Sequence, residues 1–564
     1  MRPVCHRLPA GPLRHAVENL RAVGRAALGT VLLAGLIGLA APVAAGTQSA
    51  GHAARQQAAT LRFGLSQEPD SLDPTWSRTY SGRLVLTQLC ERLYDLDSTG
   101  TIAPQLAAAL PVSSEKGRVH VIRLRPNLRF NDGTPFDAAA VKASLERYLS
   151  QNGSQRRAEL APLEGVDAID AHTVRLRLDR PYAPLLAVLS DRAGMMLSPA
   201  QMNRLGDRFG SEPVCLGPWR FGERVPGKRI VLERSSFYAG AARTPVQRLV
   251  FVPIPDSAQR LAALRRGEVD VINAVPALDI ASLRADPRFG VIQVLGPGYV
   301  GVTFNIANRS GRSAGPANLG TPWARQPKVR EAFELSLDRE ALNRQALGGE
   351  YVPGCTPISP AAPFHPAELK CSVRDIPAAK RLLAEAGYAG GLTLDLTLVD
   401  EPVQLRVGET LQAMAQDAGI QVRLKPASFD EVLARQEQGQ FDALLLGFAG
   451  RLDPDSVIYP FHTCQGALNF SLACDPALDR LLTRAREQMD PAERHRLYLE
   501  AVGKLSQNRT IVYLYHPKYS VAFSRRVAGL EAPPDGLLRL AGVRWDGTVP
   551  AARLPSHHSR LESK

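Results

Sequence analysis

The chain has 564 residues, which is more than one hydrophobic core normally organises, so we expect two or three domains. Hydrophobic residues make up 45% of the chain and charged residues 22%, a balance that excludes a largely disordered protein. The formal net charge of +13 is spread along the chain without an arginine-rich arm or a zinc knuckle, so we expect no nucleic-acid partner.

The N-terminal 45 residues have the pattern of a secretory leader. Five arginines come before or at the start of an apolar run, Ala26–Ala45, whose end offers small residues at the −3 and −1 positions of a cleavage site before Gly46. Residues 1–45 would then be a signal peptide and residues 46–59 a mobile start of a periplasmic protein. The alternative is an uncleaved membrane anchor, because the run is about as long as a membrane span.

Short strands and a few helices are predicted from Leu61 to about Tyr299. Leu61–Leu65 has the composition of a strand, and Arg118–Arg125 and His172–Leu178 alternate with a period of two. Asp137 stands at the N-cap position of a predicted helix that continues to Leu149. This part of the chain therefore predicts a strand-rich domain.

After Asn305 the pattern changes to strands that alternate with amphipathic helices. Such alternation indicates a sheet that is flanked by helices. The predicted helices are Lys328–Leu342, Ala378–Ala386, Leu405–Ala418, Phe429–Gln438, Leu478–Glu487 and Ala492–Leu505. The predicted strands are Leu392–Val399, Ile420–Leu424, Ala443–Leu446 and Thr510–Tyr515.

Six cysteines remain after removal of the leader: Cys90, Cys215, Cys355, Cys371, Cys464 and Cys474. Their spacing suggests two local disulfides in an oxidising compartment, Cys355 with Cys371 and Cys464 with Cys474. Cys90 and Cys215 are interpreted as small core residues, with a bond between them left open. Nearby histidines offer a metal-site alternative, but no C-x-x-C or H-x-x-x-H spacing supports it, so we expect no metal.

A search for catalytic motifs gives a negative result. Gly296 to Gly301 matches G-x-G-x-x-G, but the following residues Val302–Asn305 read as a strand, whereas a dinucleotide site needs a helix there. There is no G-x-S-x-G elbow and no phosphate-binding GK[ST] loop. We therefore expect neither catalytic residues nor a cofactor, and a secreted hydrolase is an unsupported alternative.

About ten short motifs occur along the chain in the order that one family of exported receptors shows. They include Gln67–Pro74, Glu91–Asp97, Ile102–Ala107, Ile122–Pro135, Val141–Arg147, Gly217–Trp219, Gly267–Asp270, Phe304–Asn305, Val329–Ala332, Asp338–Arg339 and Ala384–Tyr388. Each motif alone is weak, but their order is specific. The chain resembles the peptide/nickel class of the bacterial extracellular solute-binding proteins, family 5.

The resemblance implies an α/β fold of the two-lobed periplasmic-binding-protein (Venus flytrap) type. Mixed sheets flanked by helices would form the lobes, and the first lobe would be the larger one. The chain would cross between the lobes near Gly301–Asn305 and again near Ile511–Tyr515. The implied divisions are lobe I over 60–300 with a return segment over 512–550, lobe II over 303–508, and a C-terminal tail over 551–564.

The implied function is that of the periplasmic component of an ABC importer. Such a receptor captures a peptide or peptide-like solute between its lobes and delivers it to a membrane permease with ATPase subunits. We expect a monomer. A nickel or metal-chelate receptor of the same fold is the alternative, although no histidine stands in the loops expected to line the cleft. The sequence does not identify the ligand.

The resemblance also implies a set of residues that line the cleft: Trp76, Tyr80, Tyr299, Phe448, Arg451 and Asp453. Some peptide receptors of the family carry a cysteine pair where Cys464 and Cys474 stand. Arg451 occupies the position at which peptide-binding members often have an acidic residue for the ligand's amino group. An arginine there would prefer a carboxylate. The alternative is that Arg451 is a surface partner of Asp453 or Asp455.

Overall fold

Two mixed β-sheets form the centres of two lobes in the computed structural model, which describes residues 60–546. In spatial order, the seven strands of the first sheet are Phe289–Leu295, Lys518–Ser524, Val271–Asn273, Thr60–Leu65, Arg248–Pro253, Arg229–Arg234 and Trp219–Val225. The six strands of the second sheet are Val352–Pro353, Ile511–His516, Tyr299–Phe304, Ala443–Phe448, Leu392–Val399 and Ile420–Ala427.

The first sheet is completed by a segment from the C-terminal part of the chain. Lys518–Ser524 lies between Phe289–Leu295 and Val271–Asn273 and is antiparallel to both. Thr60–Leu65 runs parallel to its two neighbours and buries alternate side chains, so that Phe63 packs against Phe251. The first lobe is therefore discontinuous in sequence.

A layer of helices and an additional sheet enlarge the first lobe. The additional antiparallel sheet contains Val112–Ser114, Val119–Arg123, Thr173–Leu178 and Leu163–Asp170, and a short hairpin pairs Tyr94–Leu96 with Ile102–Pro104. The helices of this lobe are Tyr80–Leu89, Ala138–Ser150, Leu185–Leu189, Pro199–Leu205, Ser257–Arg266 and Ile280–Ala285. The Asp137 side chain caps the second of these by accepting a hydrogen bond from the Ala140 amide.

The strands at the two crossings belong to the second sheet. Tyr299–Phe304 pairs with Ile511–His516 in antiparallel fashion, so residues 299 and 300 and residues 512–516, which the resemblance assigns to the first lobe, are part of the second sheet. Pro517 follows, and because proline has no amide hydrogen it interrupts the strand before the chain enters the first sheet at Lys518. The crossings therefore lie close to Gly298 and Pro517.

Helices cover the second sheet: Pro322–Arg325, Pro327–Leu335, Arg339–Leu347, Ile376–Glu385, Pro402–Gln416, Phe429–Gln438, Asp455–His462, Pro476–Glu487 and Pro491–Asn508. The single helix predicted over Lys328–Leu342 is wrong, because the structure has two helices there. The Ser336 hydroxyl bonds back to the Phe333 carbonyl at the break, and Asp338 caps the second helix through the Ala341 amide. Capping by Asp338 thus overrides the continuous apolar periodicity.

Three disulfides connect the six cysteines that the structure describes. The bonds join Cys355 to Cys371, Cys464 to Cys474, and Cys90 to Cys215. Cys90 and Cys215 are buried core residues, as the sequence suggests, and the bond between them that the sequence leaves open is present. No helix within residues 60–546 is long and apolar enough to cross a membrane, and this part of the chain has no cluster of His, Cys, Asp and Glu that could hold a metal ion. The predicted leader and the C-terminal tail lie outside the described residues.

Candidate functional site

A loop of the second lobe reaches across to the first lobe. It follows the strand Ala443–Phe448 and precedes the helix Asp455–His462. The Ala449 carbonyl in this loop accepts a 2.5 Å hydrogen bond from the Tyr519 hydroxyl of the first sheet. Nearby, the amide of Ala183 in the first lobe donates to the carbonyl of Arg486 in the second at 2.9 Å. The two lobes are therefore in direct contact across the cleft.

Arg451 makes a charged contact between the lobes. Its Nε donates to Oδ2 of Asp191 at 2.6 Å and its Nη2 to Oε1 of Glu159 at 2.5 Å. Its side chain is 18% exposed and that of Asp191 5%. Burial alone would lower the pKa of Arg451, but the two carboxylates raise it above its usual range. Arg451 therefore joins the lobes as a partly buried cation.

Asp453 and Asp455 have other partners within the second lobe. Asp453 accepts two hydrogen bonds from Arg494, both at 2.7 Å, and Asp455 accepts two from Arg486 at 2.7 and 2.9 Å. The alternative that Arg451 is a surface partner of either aspartate is therefore wrong. Both oxygens of Asp453 are used in holding the helix Pro491–Asn508 against the loop.

The loop after the strand Thr60–Leu65 forms the first-lobe side of the interface. Asp73 organises it by accepting the Thr75 amide at 2.8 Å and an Arg147 guanidinium hydrogen at 2.8 Å. Trp76 is half-buried, donates from Nε1 to the Asn152 carbonyl at 3.2 Å, and has the Arg147 guanidinium 5.2 Å from its ring centre. The predicted contact residue Trp76 thus lies beside a charged group.

Three arginines of the first lobe converge on the same interface, and sequence reasoning did not single them out. Arg192 and Arg156 both donate to the Ser77 carbonyl, at 2.7 and 3.4 Å. Arg83 donates from Nε to Oδ1 of Asp191 at 3.2 Å. Burial would raise the pKa of Asp191, but the surrounding guanidiniums, with Arg83 the strongest, hold it well below its usual range.

A sequence signal for these residues does exist. Asp191 and Arg192, which follow Ser190, are the charged residues in the largely apolar run from Leu185 to Leu197. Charged residues are rarely buried unless they are paired or functional. A charged pair inside an apolar run therefore marks a buried polar site, although its partners in distant segments cannot be read from the sequence.

The predicted aromatic residues fall into two groups. Tyr299 is buried, with ring centres of Tyr513 at 4.8 Å and Phe461 at 6.0 Å, whereas Phe448 is half-buried and packs on Phe461 at 4.8 Å. Tyr80 belongs to the first lobe, where its ring stacks on Tyr519 at 5.1 Å. Tyr299 is thus a core residue. Tyr80 contacts the interface indirectly, through Tyr519, whose hydroxyl donates to the Ala449 carbonyl.

The two crossing segments are tied together by a buried histidine. Nδ1 of His516 lies 2.8 Å from the Gly298 carbonyl. Burial lowers the pKa of His516 to about 4, so the ring is neutral at physiological pH. Gly298 itself has no room for a side chain, since a Cβ there would come within 1.8 Å of the Phe448 carbonyl oxygen. The close contact between the two crossing segments therefore depends on this glycine and histidine together.

Comparison with known proteins places this two-lobed arrangement in a family. The model of the bacterial extracellular solute-binding proteins, family 5 (Middle), matches residues 101–469. The chain belongs to this family. Among curated relatives, the glutathione-binding protein GsiB of Pectobacterium atrosepticum is 25% identical over 488 residues, covering 83% of this chain and 90% of its own. GsiB of Escherichia coli K12 is 25% identical over 477 residues, covering 82% and 90%.

Solved structures of periplasmic binding proteins have the same fold. AgaA from A. tumefacien R10 in complex with agropinic acid aligns with a TM-score of 0.74 and 26% identity, over 86% of this chain and 99% of that one. DppA from Helicobacter pylori with the peptide STSA gives 0.76 and 22%, over 87% and 99%. This family 5 chain is therefore a two-lobed solute-binding component of an ABC importer, which delivers its cargo to a membrane permease and its ATPase subunits.

Proposed function

We propose that this protein captures a small peptide-like solute between its lobes in the periplasm and releases it chemically unchanged to the importer. The observation that carries the proposal is the charged contact between the lobes, where Arg451 of the second lobe meets Asp191 and Glu159 of the first. Groups from both lobes complete this interface only when the lobes are together. A solute that contacts both sides therefore favours the closed arrangement.

The mechanism is a shift between open and closed states. A ligand moves such an equilibrium only by its difference in affinity for the two states. The crossings at Gly298 and Pro517 leave few residues to change their backbone angles as the lobes separate. We take them as the lobe boundaries, with lobe I over 60–297 and 518–546, and lobe II over 299–516.

Peptide-like character is supported by the relatives and by the aromatic groups at the interface. The relatives named above bind glutathione, agropinic acid and a short peptide. Trp76, Tyr80 and Phe448 are half-buried at the interface and can pack against an organic solute. Tyr299 and Asp453 would act indirectly, by holding Phe448 and the loop that carries Arg451.

Export through a cleaved leader completes the proposal. The three disulfides require an oxidising compartment, and the periplasm provides one. The family is extracellular, and the leader pattern before Gly46 supplies the route.

Native mass spectrometry tests the proposal directly. The full chain is produced with its own leader, released from the periplasm without denaturation, and compared with the same protein after unfolding, dialysis and refolding. We expect the first sample to carry a solute of a few hundred daltons, and we expect that solute to bind again to the refolded sample. A native sample free of any solute, whose melting temperature is not raised by a periplasmic extract, would contradict the function.

A further inference from the structure

The interface between the lobes holds more positive than negative charge. Its centre is a cluster that we call the arginine cluster: Arg83, Arg156, Arg192, Arg451, Asp191 and Glu159. Four guanidiniums thus face two carboxylates. The side chains of Arg83, Arg156 and Arg192 are each at most 6% exposed, so water screens this surplus poorly.

Charged groups around the arginine cluster do not remove its surplus, because they form neutral pairs or networks of their own. These are Asp73 with Arg147, Asp95 and Asp535 with Arg92 and Arg539, Asp455 with Arg486, and Asp453 with Arg494. Two positive charges of the arginine cluster therefore remain uncompensated by the described residues.

Hydrogen-bond donors in the same place lack acceptors. Within residues 60–546, Nε of Arg156 and Nε of Arg147 are buried without a hydrogen-bond partner, and Nε of Arg192 has only a 3.8 Å ion-pair contact with Asp191. Nη1 of Arg156 makes no hydrogen bond either, but it lies 3.2 Å from Oε2 of Glu159 in an ion pair. The hydroxyls of Thr75 and Ser77 are buried without a hydrogen-bond partner as well. Folded proteins rarely leave such atoms unpaired, because each loses its hydration without a replacement. Apart from Nη1 of Arg156, five atoms without a hydrogen bond, on one loop and on the arginines packed against it, point to a missing acceptor.

An anionic group would both compensate the surplus positive charge and accept hydrogen bonds from the unpaired donors. We propose that the arginine cluster is the ligand subsite of this receptor and that it takes a small solute with two anionic groups, either two carboxylates or a phosphate. This rests on the proposed function, since it names the class of solute that the cleft receives. A dianion neutralises the two surplus charges and accepts hydrogen bonds from Arg156, Arg192 and the hydroxyls of the loop.

The distribution of the charges between the lobes couples binding to closure. The first lobe alone carries three guanidiniums against two carboxylates, and closure brings Arg451 as a fourth cation. Asp191 and Glu159 hold Arg451 itself, but Arg192 has no carboxylate as close among the described residues: burial, together with repulsion from Arg156, lowers the pKa of Arg192 well below its usual range. A bound dianion relieves this repulsion, so it binds the closed state more tightly than the open one.

The test uses the full mature protein, and thermal shift at constant ionic strength as the readout. The anionic probes are sulfate, malate and glutathione at millimolar concentration, and the matched controls are chloride and glutathione diethyl ester. We expect at least one anionic probe to raise the melting temperature while chloride and the ester do not. This comparison within the wild-type protein does not depend on whether any variant folds.

The variants Arg156→Gln and Arg192→Gln each remove one guanidinium but keep a polar side chain. They should weaken the effective probe about tenfold to a hundredfold, as expected for loss of one charge-assisted contact. Arg220→Gln is the matched control, because Arg220 pairs with Glu233 in an exposed ion pair outside the arginine cluster. The affinity of Arg220→Gln for the effective probe should equal that of the wild type.

The outcomes separate this inference from the proposed function. A co-purifying solute that is neutral or cationic, or that binds the Arg156→Gln variant as tightly as the wild type, overturns the dianion subsite and leaves the receptor function standing. Absence of both a co-purifying solute and any probe effect overturns the two together. A sulfate effect alone would assign the subsite to a phosphate-like group, and a malate or glutathione effect to a dicarboxylate.

Discussion

Replacing Arg451 by alanine should open the lobes without unfolding either of them. The side chain makes two short charge-assisted hydrogen bonds, at 2.5 and 2.6 Å, and is 18% exposed. Such contacts are worth about 1.5–3 kcal/mol net in partly buried places. Because all of that contribution lies between the lobes, Arg451→Ala should shift the closed-to-open ratio by about tenfold to a hundredfold toward the open state.

Small-angle X-ray scattering measures this shift as an increase in the radius of gyration of the ligand-free protein. Arg509→Ala is the matched control, since Arg509 also bridges two carboxylates, Glu334 at 2.7 Å and Glu331 at 3.1 Å, and is 15% exposed, but it does so within one lobe. That variant should lower the free energy of unfolding and leave the radius of gyration unchanged. Arg451→Lys should recover part of the closure, because an ammonium cannot bridge two carboxylates with a planar fork.

The reasoning fails if Arg451→Ala and the wild type scatter identically in the absence of ligand. It also fails if Arg509→Ala opens the protein as much as Arg451→Ala does, since closure would then not depend on the inter-lobe charges. Amide hydrogen exchange in the crossing strands Tyr299–Phe304 and Ile511–His516 provides a second readout of opening, which does not require a large change in the radius of gyration.

Three further predictions concern stability and processing. Replacing both Cys90 and Cys215 by alanine should lower the free energy of unfolding in urea by about 5 kcal/mol, because this disulfide closes a loop of sequence separation 125. Replacing both Cys464 and Cys474, whose separation is 10, should lower it by only about 3 kcal/mol. Equal losses would contradict loop entropy as the cause. Burial raises the pKa of Asp270 to about 6 from 3.8, so its contribution is full below pH 4 and is lost as the pH rises through 6. Asp270→Asn should therefore be more stable than wild type by about 3 kcal/mol at pH 8 and equal to it at pH 4, and an unchanged difference across that range in denaturant titrations would refute the shift. N-terminal sequencing of exported protein should find Gly46 first, whereas retention of the apolar run in a membrane fraction would show an anchor instead.

Local patterns in the sequence were sufficient for most secondary structure. The strand Leu392–Val399 and the helix Phe429–Gln438 have the predicted bounds, because their periodicity, caps and flanking glycines lie within a few residues of one another. The two-lobed fold followed from the order of motifs and is the fold of the family. The helix over Lys328–Leu342 was mispredicted because the side chain of Asp338 could either face solvent within one helix or cap a new one.

Only the tertiary structure decided which charges meet. Arg451 was singled out from the sequence, but its partners Asp191 and Glu159 are more than 250 residues away along the chain, and no local pattern encodes that distance. The same holds for the disulfide between Cys90 and Cys215, whose separation of 125 residues gives no spacing signal. Helix caps, periodicity and short loops depend on a few neighbouring residues and can be read from the sequence. The balance of buried charge at an interface depends on distant segments that are brought together only by folding.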